Sequence, residues 1–384
     1  MTTVLTQPIE EVVSTLVEAF AQTASERDKK GGTAKAERDL LRKSGLLRLH
    51  TDNWTDILAI TRQIAKVDSS LAHLFGYHFL CRASVELYGT AEQVEKFRQQ
   101  TIANDYFWGN AFNPLDTHVQ ATRIDDAWYI NGTKSFCSGA SDSDCLLISA
   151  QKPNGAGPLI AVIPTSRAGI TTQNDWDAFG QRQTDSGNVT FDQVIVYDDE
   201  ILDAYEAGDS NLFATVRTHI AQSVLIHVLL GTAEGAFEAA QHYTRTQTRP
   251  WVTSHVATAT EDPYYIQHYG QLFVKLQASD ALVAVANEKL NDTWAQKQAI
   301  TTAQRGECSI AVATAKVQVV ETALDVTSRV FQMMGARATS AKYNFDRYWR
   351  NVRTHTLHDP IDYKIRDLGN YTLNDQYPEI SAYS

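Results

Sequence analysis

Trp128-Tyr-Ile-Asn-Gly-Thr-Lys-Ser-Phe-Cys-Ser-Gly139 is the stretch on which the division of this chain turns. It opens with aromatic and β-branched residues, and Asn131-Gly132 is a turn dipeptide, so it reads as strand and turn rather than helix. Similar runs surround it: Tyr106-Phe-Trp-Gly-Asn110, Leu146-Leu-Ile-Ser-Ala150, Leu159-Ile-Ala-Val-Ile163, and Val189-Thr-Phe191 with Val194-Ile-Val196. Asp125-Asp126, Asn154-Gly-Ala-Gly157 and Asp185-Ser-Gly187 separate them. This spacing predicts a small antiparallel β domain over residues 105–203.

On either side the periodicity is helical. Ile9, Val12, Val13, Leu16, Val17 and Phe20 share one face, and Gly31-Gly32 ends that helix. Glu37 to Ser44, with Gly45 as C-cap, is a second. Trp54, Ile57, Leu58, Thr61 and Ile64 mark a third, and Ser70–Leu87 and Ala91–Ile102 two more. After residue 203 the helices lengthen, over about 209–246, 262–293, 300–334 and 341–358, as in a four-helix bundle. The expected organisation is mainly α with a central β domain: helical 1–104, β 105–203, and a helical bundle with tail 204–384.

Composition is ordinary for a globular chain of 384 residues, 43% hydrophobic and 21% charged. A net charge of −11 without a basic stripe argues against nucleic acid. Cys81, Cys137, Cys145 and Cys308 show no CxxC spacing, so neither a disulfide frame nor a metal site is expected. The first residues lack the order of a signal peptide, and no apolar run suggests a membrane span. The expectation is a cytoplasmic protein without a membrane partner.

The densest chemistry lies in Arg347-Tyr-Trp-Arg-Asn-Val-Arg-Thr-His-Thr-Leu-His-Asp359, stopped by Pro360. His355 and His358 share a helical face, which reads as a helix end lining a pocket for an anionic cofactor. Imidazole can exchange protons near neutrality, and Asp359 beside His358 favours its charged form. Two histidines at a helix end also suit the helix dipole. Taken alone, Asn110 and Ser138 serve as turn closers, His78 as a core histidine, Arg245 as a surface ion pair, and Trp176, Phe179 and Trp251 as ordinary core.

The order of helices, β domain and long bundle resembles the acyl-CoA dehydrogenase fold. So do Trp128–Gly139, Tyr243-Thr-Arg-Thr-Gln247 and Gln332-Met-Met-Gly335. A closer resemblance is to the dibenzothiophene monooxygenase and sulfur-acquisition branch. It rests on Leu74-Phe-Gly-Tyr-His78, Gly109-Asn110, Ile163-Pro-Thr-Ser-Arg-Ala-Gly-Ile170, Asp175-Trp176 and Arg182-Gln-Thr-Asp-Ser-Gly187. Thr244-Arg-Thr-Gln-Thr-Arg-Pro-Trp251, Thr260-Glu-Asp-Pro-Tyr264 and Trp349–Pro360 complete it.

That resemblance implies a two-component monooxygenase. A separate NAD(P)H:flavin reductase supplies FMNH2, O2 is the co-substrate, and a flavin C4a-hydroperoxide oxygenates a small aromatic or organosulfur molecule at sulfur. It implies catalytic roles for His358, His78, Asn110 and Ser138, with Ser138 facing flavin N5. Asn110, Ser138, Arg245, His355 and Arg337 are expected to hold the cofactor, Arg245 across a subunit interface. Tyr77, His78, Trp176, Phe179 and Trp251 are expected around the substrate.

Three departures from the wider pattern matter. Asp359 stands where acyl-CoA dehydrogenases often carry a longer glutamate base, which disfavours FAD-dependent dehydrogenation or oxidation. Gly335-Ala-Arg-Ala-Thr339 suits a terminal phosphate better than a threaded dinucleotide. His50-Thr-Asp-Asn-Trp-Thr55 is shorter than the related segment, so substrate choice, including nitrogen or carbon oxygenation, stays open. Apolar faces at Val224–Leu230 and Ile310–Val319 suggest a homotetramer.

Overall fold

Side chains that accept from free N–H groups set the starts of three of the five N-terminal helices. The computed structural model describes residues 8–113, 115–153, 157–202 and 211–384. The expected turn at 154–156 and the boundary at 203/204 lie outside the described residues. Helices α1 (Ile9–Lys30) and α2 (Lys35–Ser44) are followed by α3 (Trp54–Ala65), α4 (Ser69–Tyr88) and α5 (Ala91–Asn104). Asn53 caps α3, Asp68 caps α4, and Thr90 with Gln93 forms a capping box on α5. Helix α4 buries residues on all its faces, as a core helix must.

Seven strands follow: β1 (Trp108–Ala111), β2 (Gln120–Ile124), β3 (Ala127–Lys134), β4 (Cys145–Gln151), β5 (Pro158–Pro164), β6 (Ile170–Thr172) and β7 (Val189–Val196). They pair in the order β1-β4-β2-β3-β7-β6, with β5 also on β4. Pairing is antiparallel except where β4 meets β1 and β2. Asn131-Gly132 is not a turn but lies inside β3. The register against β7 shifts between Ile130 and Gly132, and a Cβ on Gly132 would fall 2.2 Å from the His118 carbonyl oxygen. A bulge thus uses the glycine that the sequence reading assigned to a turn.

The chain then returns to helix with α6 (Val216–Thr246), α7 (Pro263–Gln296), α8 (Thr302–Met334), α9 (Asp346–His355) and α10 (Ile361–Asn374). The helix expected over 341–358 is shorter. After His355 the backbone bonds tighten, with Leu357 N–H donating to the Thr354 carbonyl and His358 N–H to the His355 carbonyl. Pro360 then bars continuation. His358 therefore sits in a turn, not on the helical face of His355.

Helices from both ends of the chain share one apolar core, while the sheet has its own. Residues 213–246 are long and apolar enough to cross a membrane, yet 89% of the apolar window is buried inside the fold. The Val224–Leu230 face offered above as an oligomer surface is spent in this core, as are Val312, Ala313, Ala315 and Val319. Helix α7 instead exposes Ile266, Phe273, Val274 and Val285.

Helix α6 reaches its neighbours through missing side chains. A Cβ on Gly231 would lie 2.3 Å from the Arg62 carbonyl oxygen, and one on Gly235 1.9 Å from that of Lys66. Opposite Gly76 of α4 stands Val224 Cγ1, 2.3 Å from where a Cβ would be. Gly76→Ala is expected to cost about 1–3 kcal/mol by overpacking, partly relieved by Val224→Ala. Gly235→Ala is expected to cost more, because a backbone carbonyl cannot change rotamer. Urea denaturation of the four proteins checks the ranking.

Candidate active site

His73, Tyr77 and Leu80 follow one another at helical spacing along α4 and open one face of that helix onto a cavity of about 1140 Å3. The other walls come from the end of β1, the turn after β3, the 176–188 segment, the first turns of α6 and the turn after α9. Ala382 and Tyr383 of the tail complete it. Lys364 donates to the Tyr383 carbonyl, and the Tyr383 ring meets His358 edge-on with centroids 5.6 Å apart.

Hydrogen bonds run through this wall in one direction. Thr184 Oγ1 donates to the Gln181 carbonyl at 3.0 Å. Its only proton is thereby used, so the 2.7 Å contact with Ser186 Oγ is donated by Ser186. By the same count Ser138 donates to Ser186 at 2.8 Å, and Ser138 Oγ accepts from His73 Nε2 at 3.0 Å. Burial, then the charge of His358, lowers the His73 pKa to about 3, so its ring is neutral. Its Nδ1 must then accept from His355 Nε2, 3.0 Å away. Burial and then His73 also hold His355 well below its usual range. His355 Nδ1 remains as a buried acceptor with no protein partner among the described residues.

His358 Nδ1 lies 3.0 Å from Asp359 Oδ1, and the buried Lys316 ammonium 3.7 Å from the same oxygen. The second distance is an ion pair rather than a hydrogen bond. Burial opposes ionisation of Asp359, but Lys316, the bond from His358 and the charge of Lys364 outweigh it, so the carboxyl is held well below the usual range. Asp359 is thus engaged as a partner of His358.

Of the residues singled out in the sequence, Asn110, Ser138, His355, His358, Tyr77, Trp176 and Phe179 meet at the cavity. Trp176 Nε1 donates to the Gln181 carbonyl, and Phe179 stacks on Trp349 at the rim. His78 does not meet it. One residue past Tyr77, it turns into the core, where Nε2 donates to the Leu47 carbonyl at 3.0 Å and Nδ1 accepts from Trp108 N–H at 3.2 Å. Both ring nitrogens are spent on backbone. Trp251 is 67% exposed and, like the exposed Arg245 and Arg337, lies outside this cavity. His73 escaped the sequence reading, although it precedes Tyr77 by one helical turn and stacks on it at 4.1 Å.

The acyl-CoA dehydrogenase middle-domain and C-terminal-domain family models match residues 109–194 and 223–363. A probable FMNH2-dependent monooxygenase, SfnC of Pseudomonas putida, is 46% identical over 98% of both chains. The chain belongs to the flavin-dependent monooxygenases of acyl-CoA dehydrogenase fold. Within them, a dibenzothiophene monooxygenase of Mycolicibacterium goodii is 44% identical, with 96% of this chain and 94% of that one aligned. The methanesulfinate monooxygenase MsuC of Pseudomonas fluorescens superimposes with a TM-score of 0.95 at 44% identity, covering 98% of this chain and all of that one.

The cavity of this flavin monooxygenase fits the ring system of FMN. It exceeds what one drug-sized ligand usually fills. Gln222 is buried, with its Oε1 unpartnered among the described residues, in the cavity wall.

Lys316→Met should lower stability by about 3–5 kcal/mol at pH 7, because it strands a buried carboxylate. Adding Asp359→Asn should restore part of the loss. Asp359 has a folded pKa below its unfolded one, so its contribution is present above about pH 4 and lost as pH falls through the folded value. The gap in urea midpoint between wild type and Asp359→Asn should therefore be largest near neutrality and shrink below about pH 4.

Proposed function

We propose that the protein oxygenates a small organosulfur substrate at sulfur, using O2 and FMNH2 from a separate NAD(P)H:flavin reductase. The observation that supports this reading is the one-way hydrogen-bond chain that passes through Ser138 at the wall of a cavity large enough for flavin and substrate together. Reduced FMN, when bound, supplies the electrons that activate O2.

The protein's own residues then have distinct tasks. Ser138 Oγ gives its proton to Ser186 and accepts from His73, which leaves one lone pair for a donor in the cavity. That suits the N–H that a reduced flavin carries at N5. Asn110 offers its amide beside it. His358 is assigned proton transfer, because Asp359 takes its Nδ1 and leaves Nε2 for the cavity. His355 and His73 hold Ser138 in its accepting state. Tyr77, Trp176 and Phe179 supply aromatic wall that excludes water. His78, bonded on both sides to backbone, is assigned to the scaffold. Asp359 is committed to Lys316 and His358, which speaks against its serving as an acyl-CoA dehydrogenase base.

Arg245 and Arg337 are assigned to FMN phosphate in the site of a second copy, and Trp251 to the same interface, within a homotetramer. Their exposure away from this cavity and the apolar side chains on α7 support that assignment. Cytoplasmic placement is part of the same proposal, supported by four buried free cysteines. The division at 104/105 is supported by the end of α5 and the start of β1, and the one at 203/204, outside the described residues, by β7 before it and α6 after it.

Anaerobic protein and FMNH2 are mixed with oxygenated buffer in a stopped-flow cell. Flavin reoxidation slower than in free solution, with sulfur oxygenation matching FMNH2 consumed, is the expected result. Reoxidation unchanged by the protein would sink the proposal. His73→Ala and Ser138→Ala should each divert flux to hydrogen peroxide and lower product yield by about 100-fold or more.

A further inference from the structure

Arg217 is the only arginine or lysine among the described residues that line the cavity, and Asp116 the only carboxylate. The two do not offset each other. Asp116 Oδ1 accepts from His118 N–H and Nδ1, and Oδ2 accepts from Ser135 N–H and Oγ. Its charge is consumed in a turn. Arg217 is held without being neutralised: Nε donates to Ser84 Oγ at 2.9 Å, and the guanidinium lies over the Phe112 ring at 3.9 Å. Its terminal amino groups have no carboxylate partner among the described residues.

A half-buried guanidinium clamped between a ring and a hydroxyl presents a flat fork of donors of fixed orientation. Facing an apolar wall, it is poorly compensated until an anion arrives. Gln222, one helical turn beyond Thr218 on α6, brings a second polar side chain to the same region, with its Oε1 unpartnered. A neutral flat heterocycle would leave the guanidinium unanswered. A planar pair of charged oxygens would satisfy it.

We infer that Arg217 anchors an organosulfur oxyanion, and that the substrate is an alkanesulfinate rather than a neutral sulfur heterocycle. This rests on the monooxygenase reading above and narrows it. A sulfinate has two oxygens for the guanidinium and a sulfur lone pair still open to oxidation. One atom of O2 forms a new bond to sulfur and the other leaves as water. The balance is RSO2⁻ + O2 + FMNH2 → RSO3⁻ + H2O + FMN, with two electrons from sulfur and two from the flavin. Arg217 binds and orients the substrate, and takes no part in the electron flow.

The test is calorimetric titration of the flavin-loaded protein with methanesulfinate, beside steady-state turnover of methanesulfinate and dibenzothiophene. Wild type should bind methanesulfinate and turn it over with the higher kcat/KM. Arg217→Met should weaken binding about 10- to 100-fold, as for loss of charge-assisted bonds. Arg217→Lys should recover part of it, and in both variants kcat/KM for methanesulfinate should fall by a larger factor than that for dibenzothiophene. Equal sulfinate affinity in wild type and Arg217→Met overturns the anchor. A wild type that prefers dibenzothiophene overturns the substrate class, and that comparison needs no variant. Arg217-dependent binding of methanesulfinate without oxygenation of either compound would leave the anchor standing and sink the monooxygenase reading.

Discussion

Everything at the centre of this protein depends on one proton having nowhere else to go. The Thr184 hydroxyl must donate to the Gln181 carbonyl, and that choice fixes the direction of every bond back to His355. Such a chain needs a loop that does not move. Gln181 N–H donates to Asn351 Oδ1 at 2.6 Å and its amide to Ser69 Oγ at 2.5 Å. Arg38 pairs with Asp185 in full burial, and Arg27 Nη1 donates to Gln183 at 2.9 Å. Buried charge pairs contribute little net stability. Here the ion pair and the hydrogen bonds beside it act on geometry, since together they tie α1, α2, α4 and α9 to the one loop whose hydroxyls order the imidazoles.

The same contacts explain how much was legible beforehand. The change of texture near residue 105 and the return of long helices are differences of period, which the sequence carries openly. Ser138, Asn110, His355 and His358 were legible through short strings on strand ends and at a helix stop. His73 was not, because nothing about a histidine four residues before a tyrosine marks it as a relay. His78 drew attention instead, although one step along a helix rotates a side chain by about 100°, from cavity to core. Thr184 and Ser186 sit in a loop without periodicity, and their role exists only because Ser186 meets Ser138, far away in sequence. Asn131-Gly132 misled for the opposite reason: a strong local signal was overridden by the approach of the His118 carbonyl.

Packing of the long helices shows the same interplay. Helix α6 has the apolar length of a membrane span, yet it is the hub of the helical core. Gly231 and Gly235 let the carbonyls of α3 lie against it, and Gly76 lets α4 do so from another side. The site depends on this indirectly, because α4 carries His73 and Tyr77 while α6 carries Arg217 and Gln222.

Helix α4 also sets a distance. His73, in the relay, and Ser84, which steadies Arg217, are three turns apart on one rod, about 16 Å by helical rise. On the proposed assignments, oxygen chemistry and substrate choice are mounted at opposite ends of a stiff ruler. Mutation can rewrite one end while the other keeps its alignment, so this architecture can drift to new sulfur sources without first losing its power to oxidise.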